Sequence, residues 1–174
     1  MKGTHSKPRS LLPWFGYPHP AWPLFLWGPI SVACVIWGVT NHQLELWQVA
    51  AIGAAALLFW SLFEYVTHRF LLHPSEKFMC MDRWAHFAHG KHHDEPNNRV
   101  FALVPPLNSI MVFIPLLVIF HFIVPPYAVA VFAGFFLVGY LAYEYIHLSL
   151  HHAAPKPRLG CYFRRHHLTH HAHG

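Results

Sequence analysis

Histidine is the residue whose number and spacing in this chain could do chemistry. The chain of 174 residues contains 18 histidines, and ten of them fall into spaced groups. Neutral imidazole is the commonest protein ligand for transition metals, and its spacing decides which side chains converge on one ion. The pattern therefore predicts metal chemistry. The ten candidate metal ligands are His68, His73, His89, His92, His93, His147, His151, His167, His170 and His171.

The spacing within these groups predicts how the metals are shared. His147 and His151 are four residues apart and so lie on one face of a helix. In each His-x-x-His-His group, adjacent histidines point about 100° apart, so one group can serve two neighbouring ions. His68 and His73 are five residues apart and need a break in a straight helix, which Pro74 could supply. Because one first-row ion takes about four to six ligands, ten histidines indicate two metals, each with an open position.

The composition predicts that this chemistry takes place at a membrane. Hydrophobic residues make up 55% of the chain and charged residues only 11%, which is typical of a membrane protein rather than a soluble domain. Four uncharged runs are long enough to cross a bilayer at about 1.5 Å of rise per residue. The predicted spans are residues 24–40, 46–63, 107–124 and 127–143.

The basic residues predict the orientation of the spans. All twelve lie in the N-terminal segment, the central loop or the C-terminal segment, and the connections 41–45 and 125–126 contain none. The positive-inside rule then places both termini and the histidine groups in the cytoplasm, at a bacterial inner membrane or the endoplasmic reticulum. The net charge of +5 suits a protein that faces anionic lipid, and no nucleic-acid partner is predicted.

These observations together predict one all-α integral membrane domain over residues 1–174. It has four transmembrane helices and a cytoplasmic, histidine-rich helical cap that holds a di-metal centre. Residues 1–23 are expected to lie at the membrane interface before the first span. Their basic residues are followed by prolines, without a continuous apolar core or a small-residue cleavage site, so no removable signal peptide is predicted.

Four stretches around the histidines carry a family resemblance. They are His-Arg-Phe-Leu-Leu-His (68–73), His-Gly-Lys-His-His-Asp-Glu-Pro-Asn-Asn-Arg (89–99), Tyr-Glu-Tyr-Ile-His-Leu-Ser-Leu-His-His (143–152) and His-His-Leu-Thr-His-His (166–171). In order, spacing and flanking residues they resemble the membrane fatty acid hydroxylase and sterol desaturase superfamily over about residues 64–171. The resemblance is closest to the fatty acid 2-hydroxylases.

The resemblance implies a non-haem di-iron enzyme that inserts one oxygen atom from dioxygen into a fatty acyl chain, at C2. Carried over position by position, it nominates the same ten histidines and no catalytic residue beyond these ligands. It does not nominate His86, His152 or His166. Zinc can replace iron in a purified sample, because imidazole binds both ions. Larger relatives carry a haem-binding cytochrome domain before the first span as a built-in electron donor, and no such domain is expected in this sequence. The electrons are therefore expected from a separate donor protein, a b-type cytochrome or a ferredoxin with its reductase.

Two carboxylates precede candidate ligands at helical spacing. Glu64 lies four residues before His68, and Glu144 lies three residues before His147. Each could accept a hydrogen bond from a ligand imidazole and fix its orientation. The alternative for both is a charge at a helix end near the membrane interface.

Other functions stay open at this point. Within the enzyme class, the substrate could be a sterol, a carotenoid or an alkane, since those systems use similar histidine patterns. A divalent-metal transporter is a different class, but transporters place polar ligands near the bilayer midplane, and these histidines lie at span ends and in loops. A structural membrane protein with inert zinc sites is the third class. The favoured function is a lipid hydroxylase that acts on an acyl chain of a membrane lipid.

Overall fold

The described chain is helical. The computed structural model describes residues 19–73, 85, 89–99, 101–154 and 157–173, and these contain no β-strand. Helix α2 continues into a π-helical turn at His68–Leu72. The helices are α1 (Trp22–His42), α2 (Leu46–Thr67), α3 (Lys91–Asp94), α4 (Pro106–Ile123), α5 (Val129–His152) and α6 (Arg158–His173).

Four of the described helices are long and apolar enough to cross a membrane. They are α1, α2 with its π-helical turn, α4 and α5, which confirms the four predicted spans. Their outward faces carry large apolar side chains, and Phe25 and Phe122 are 78% and 79% exposed. Faces of this kind are typical of contact with lipid. The chain is therefore a multi-pass membrane protein.

The helices that contain the second and fourth predicted spans continue beyond the apolar runs. They continue to Leu72 and His152, whereas the apolar runs end at residues 63 and 143. The additional turns carry histidines, and His147 and His151 are buried against other parts of the protein. Protein contact therefore replaces lipid contact at these ends, so each helix extends past the apolar run that predicts its span.

Helix α5 is the central element of the bundle, because it packs against α1, α2, α4 and α6. Its aromatic side chains form the core together with rings from α2 and α4. The ring centroids of Trp60 and Phe136 are 5.0 Å apart, and those of Phe113 and Tyr140 are 4.7 Å apart, both edge to face. Edge-to-face pairs stabilise beyond their buried area. This aromatic core holds α5 in place below the histidines.

Small residues bring α1 and α5 into close contact. The Ser31 hydroxyl donates a hydrogen bond to the Gly134 carbonyl oxygen at 2.9 Å. A Cβ atom added at Gly134 would lie 2.9 Å from the Ser31 carbonyl oxygen and 2.6 Å from a methyl group of Val35. Close backbone approach through small residues is a recurring way of packing membrane helices.

We expect Gly134→Ala to destabilise the protein by about 1–3 kcal/mol, because the new methyl group meets backbone that cannot move aside. The measurement is thermal unfolding of the purified protein in detergent. Gly28→Ala is the matched control, since its Cβ would meet only the flexible end of Leu24 at 3.4 Å. Equal melting temperatures for the two variants would contradict the proposed close contact.

Candidate metal centre

Histidine rings from four segments of the chain meet at one end of the bundle. The π-helical turn and the residue after it supply two rings, and the segment around α3 supplies three. The C-terminal end of α5 supplies two more, and α6 supplies three. All ten histidines predicted from the sequence are among them. They form two adjoining clusters with one ring between.

The first group, the five-histidine cluster, draws on α3, α5 and α6. The Nε2 atoms of His92 and His147 are 2.9 Å apart, and the Nε2 atom of His167 lies 2.6 Å from that of His151 and 3.1 Å from that of His171. All five possible ligand atoms lie within 4.8 Å of one another. The spacing of His147 and His151 places both in this cluster. Its members are His92, His147, His151, His167 and His171.

The second group, the four-histidine cluster, consists of His68, His73, His89 and His170, again with all ligand atoms within 4.8 Å of one another. The Nε2 atom of His170 lies 3.2 Å from that of His68 and 3.0 Å from that of His73. A helix that follows the fourth span thus completes a site that begins at the end of the second span.

His93 lies between the two clusters. Its Nε2 atom is 3.1 Å from that of His89, and its ring stacks on His171 with centroids 4.3 Å apart. The neighbouring residues His170 and His171 enter different clusters, which is the division that an angle of about 100° between adjacent side chains predicts. The His-x-x-His-His groups therefore each contribute to both clusters.

A π-helical turn brings His68 and His73 together. The His73 N–H donates to the His68 carbonyl oxygen at 3.2 Å, an i to i+5 bond, and the two ring centroids are 5.0 Å apart. An i to i+5 turn aligns residues five apart, which an α-helix does not. The sequence predicted a break in the helix here, and the break is this wider turn. Pro74, named as its possible cause, lies outside the described residues.

The spacing of the nitrogens fits metal ions. Nitrogens bound at about 2.1 Å to one ion lie roughly 3.0–3.4 Å from each other, close to most of the separations in both clusters. Hydrogen bonds alone do not account for the arrangement, since each ring nitrogen offers either one proton or one lone pair and so suits one partner. The Nε2 atoms of His167 and His170 each approach two other Nε2 atoms. The two clusters could each hold a metal ion.

The electrostatics of the clusters keep the imidazoles neutral. Burial, together with the neighbouring imidazoles, lowers the pKa of His92 to about 2 and the pKa values of His93 and His167 to about 3. Burial also lowers the pKa of His89 well below its usual range. A neutral ring offers its lone pair to a metal without competition from a proton at neutral pH.

The two carboxylates predicted to orient ligands have different surroundings. The Glu64 carboxylate lies 3.7 Å from Nδ1 of His68, so these two groups are neighbours. Glu144 is fully buried and instead accepts a hydrogen bond from the Val104 N–H at 3.0 Å, which fastens the connection before α4 to α5. Tyr143, which the sequence analysis did not single out, places its hydroxyl 3.5 Å from Nδ1 of His68.

The remaining histidines lie away from the clusters or outside the described residues. His19, His42, His121 and His166 are exposed. The ring of His152 is 6.2 Å from that of His151 but belongs to neither cluster. His5 and His86 fall outside the described part of the chain, as do residues 1–18 of the predicted interfacial segment.

A cavity of about 220 Å³ opens beside the clusters. It lies between α2, α4 and α5 and is closed on one side by the segment 101–104. His68, His89 and His147 border it, and most of its remaining wall is apolar. A largely apolar cavity with a few polar groups at one end is the usual form of a site for an apolar ligand.

The fold and the clusters define a helical membrane protein with paired histidine sites suited to metal, and comparison with known proteins gives its family. The fatty acid hydroxylase family profile matches residues 53–174. A dihydroceramide fatty acyl 2-hydroxylase of Arabidopsis thaliana is 31% identical over 147 residues, covering 84% of this chain and 61% of the relative. A fatty acid 2-hydroxylase of Homo sapiens is 36% identical over 119 residues, covering 64% and 31%.

A solved structure shares the fold. It is described as full-length scs7p with only the hydroxylase domain visible, and it matches with a TM-score of 0.85 and 22% identity over 93% of this chain and 61% of that chain. The chain belongs to the fatty acid hydroxylase family. It spans 61% of the length of the Arabidopsis relative and a smaller share of the human one.

We expect His167→Ala and His170→Ala each to lower the metal content from about two ions per chain toward one, because each removes a ligand from a different cluster. Iron and zinc per chain are measured by mass spectrometry after purification in detergent. His121→Ala, which removes an exposed histidine of α4, is the control and should leave the content unchanged. Full metal content in both cluster variants would contradict the assignment.

Proposed function

We propose that the protein is a membrane di-iron lipid hydroxylase that inserts one oxygen atom from dioxygen into a fatty acyl chain at C2. The observation that carries this proposal is the convergence of ten histidine rings in two adjoining clusters beside a largely apolar cavity. The relatives that are named 2-hydroxylases support the position of oxidation.

The residues that would hold the two iron ions follow from the clusters. The five-histidine cluster would hold one ion and the four-histidine cluster the other, and His93 lies where it can serve either. Iron bound there supplies the redox and dioxygen chemistry that no side chain can provide for an unactivated C–H bond. The imidazoles stay neutral and hold fixed positions, because they are packed against each other on four segments of the protein.

The protein's own contribution to the reaction is to bind and orient the acyl chain. The cavity lies between helices that can cross the membrane, and its largely apolar wall suits a lipid chain. Its wall includes Phe63, Leu71, Val112 and Phe113, which exclude water from the space next to the histidines. Holding one carbon next to the clusters turns an encounter between lipid and metal into a reaction within a bound complex.

The reaction also needs a source of electrons. Insertion of one oxygen atom of dioxygen into a C–H bond, with the other leaving as water, consumes two electrons and two protons. We propose a separate donor protein, a b-type cytochrome or a ferredoxin with its reductase. Three exposed basic residues, Arg69, Arg158 and Arg165, lie at the end of the molecule that carries the histidine clusters. Their positive charge would steer an acidic donor toward this end.

The metal-binding end is proposed to face the cytoplasm. The basic residues of the described chain lie at this end, and the connections between α1 and α2 and between α4 and α5 contain none. By the positive-inside rule, the side of a membrane protein that carries the basic residues faces the cytoplasm.

Cysteine labelling in intact cells tests the orientation. Leu159→Cys, on α6, and Tyr127→Cys, between α4 and α5, are made in a background in which Cys34, Cys80 and Cys161 are serine. Both positions are exposed, at 65% and 50%. A membrane-impermeant maleimide should label Tyr127→Cys in intact cells and Leu159→Cys only after permeabilisation. The reverse pattern would show that the clusters face outward.

We expect the anaerobically purified protein, given iron, a reductant, dioxygen and a mixed acyl-lipid pool, to produce lipids heavier by one oxygen atom. The atom should come from isotopically labelled dioxygen and not from labelled water. His92→Ala and His170→Ala should abolish the product without abolishing membrane insertion, whereas His121→Ala should retain it. Turnover in both cluster variants, or tight metal binding with no oxidised lipid in the wild type, would refute the proposed activity.

A further inference from the structure

The cavity beside the clusters contains buried polar atoms that have no partner within the described protein. Asn108 from α4 and Tyr140 and Glu144 from α5 line the cavity, and each is 2% exposed or less. The Asn108 amide nitrogen and Oε1 of Glu144 make no hydrogen bond, and the Tyr140 hydroxyl interacts with the Ser109 hydroxyl but keeps a lone pair free. Buried polar atoms are nearly always paired, so Asn108 and Glu144 need a partner that enters the cavity.

The groups around these atoms are already engaged. The Ser109 hydroxyl accepts from the Trp27 indole N–H at 3.0 Å and donates to the Pro106 carbonyl oxygen at 2.9 Å. The second oxygen of Glu144 accepts from the Val104 N–H. These bonds fix the surrounding segments while the other polar atoms remain available to a ligand. Preorganised polar groups in an apolar wall are what orient a bound molecule.

The polar atoms in the cavity lie close to the histidine clusters. On α5, Glu144 precedes His147 by three residues and Tyr140 precedes it by seven, which is about 4.5 Å and about 10.5 Å along the helix axis. The side chains of Tyr140, Glu144 and His147 all line the cavity. A polar group held beside Glu144 would therefore sit within one helical turn of the clusters, and the carbon next to that group would be the one that faces them.

We propose that Asn108, Tyr140 and Glu144 form a polar anchor that binds the uncharged acyl group of the lipid and so determines which carbon is oxidised. The Asn108 amide donates to the acyl carbonyl oxygen, and Glu144 accepts from an N–H or O–H next to it. The Tyr140 hydroxyl can do either. A free carboxylate is disfavoured, because its charge would be buried in a largely apolar cavity whose described wall contains no lysine or arginine. This inference rests on the proposed hydroxylase function.

The first test measures where the lipid is oxidised. Tyr140→Phe and Asn108→Leu, in the full chain, are compared with wild type on a dihydroceramide that carries a hexadecanoyl chain. We expect KM to rise about tenfold for each lost hydrogen bond, and the product to spread from C2 to neighbouring carbons. Tyr145→Phe is the matched control on the same helix, since its hydroxyl donates to the Pro20 carbonyl oxygen at 3.3 Å and does not line the cavity.

A second test does not depend on turnover. Thermal stabilisation of the metal-loaded protein in detergent is measured with the same dihydroceramide, with hexadecanoic acid and with hexadecane. The anchor predicts that wild type is stabilised most by the amide lipid, and that Tyr140→Phe and Asn108→Leu lose this preference while Tyr145→Phe keeps it. If one variant does not fold, the other carries both measurements.

The outcomes separate the anchor from the hydroxylase function. Preferential binding of the amide lipid by wild type without any product would support the anchor and refute the proposed reaction. Equal stabilisation of wild type by the amide lipid and hexadecane would overturn the anchor. Unchanged KM and an unchanged site of oxidation in Tyr140→Phe and Asn108→Leu would overturn it as well.

Discussion

The close approach of imidazole nitrogens, at 2.6–3.2 Å, is the constraint on which the rest of the structure depends. Neutral rings that turn lone pairs toward one another are stable together only if protons or cations lie between them. To bring the rings this close, α2 and α5 extend beyond their apolar runs, and α6 folds back along α5. The histidine-rich end is therefore partly a continuation of α2 and α5, and the segment around α3 and helix α6 complete it.

Helix α5 divides its surface among three kinds of contact. Toward α1 it presents small residues such as Gly134, and toward α2 and α4 it presents the aromatic rings of Phe136 and Tyr140. At its C-terminal end it presents His147 and His151. Because the aromatic core and the glycine contact fix the rotation of this helix, they also fix the direction in which its histidines point. The packing of the membrane region thereby positions the histidine clusters.

The features of the fold and of the candidate site that depend on residues close together in the chain could be predicted from the sequence. Long apolar runs give four spans, and the separation of His147 and His151 gives a shared face. The π-helical turn that begins at His68 is harder to predict, because it departs from the 3.6 residues per turn of an α-helix. Long-range partners are not accessible at all. The bond from the Val104 N–H to Glu144 joins residues 40 apart, and the contact of His68 with His170 joins residues 102 apart, so only the fold reveals them.

The π-helical turn makes the chain sensitive to length at one point. Each hydrogen-bonded ring of this turn contains one residue more than a ring of an α-helix. Loss of a single residue between His68 and His73 would restore the narrower helix and rotate everything that follows by about 100°. The ring after the turn would then face away from its partners in the four-histidine cluster. The number of residues between His68 and His73 is therefore as important to the cluster as the two histidines themselves.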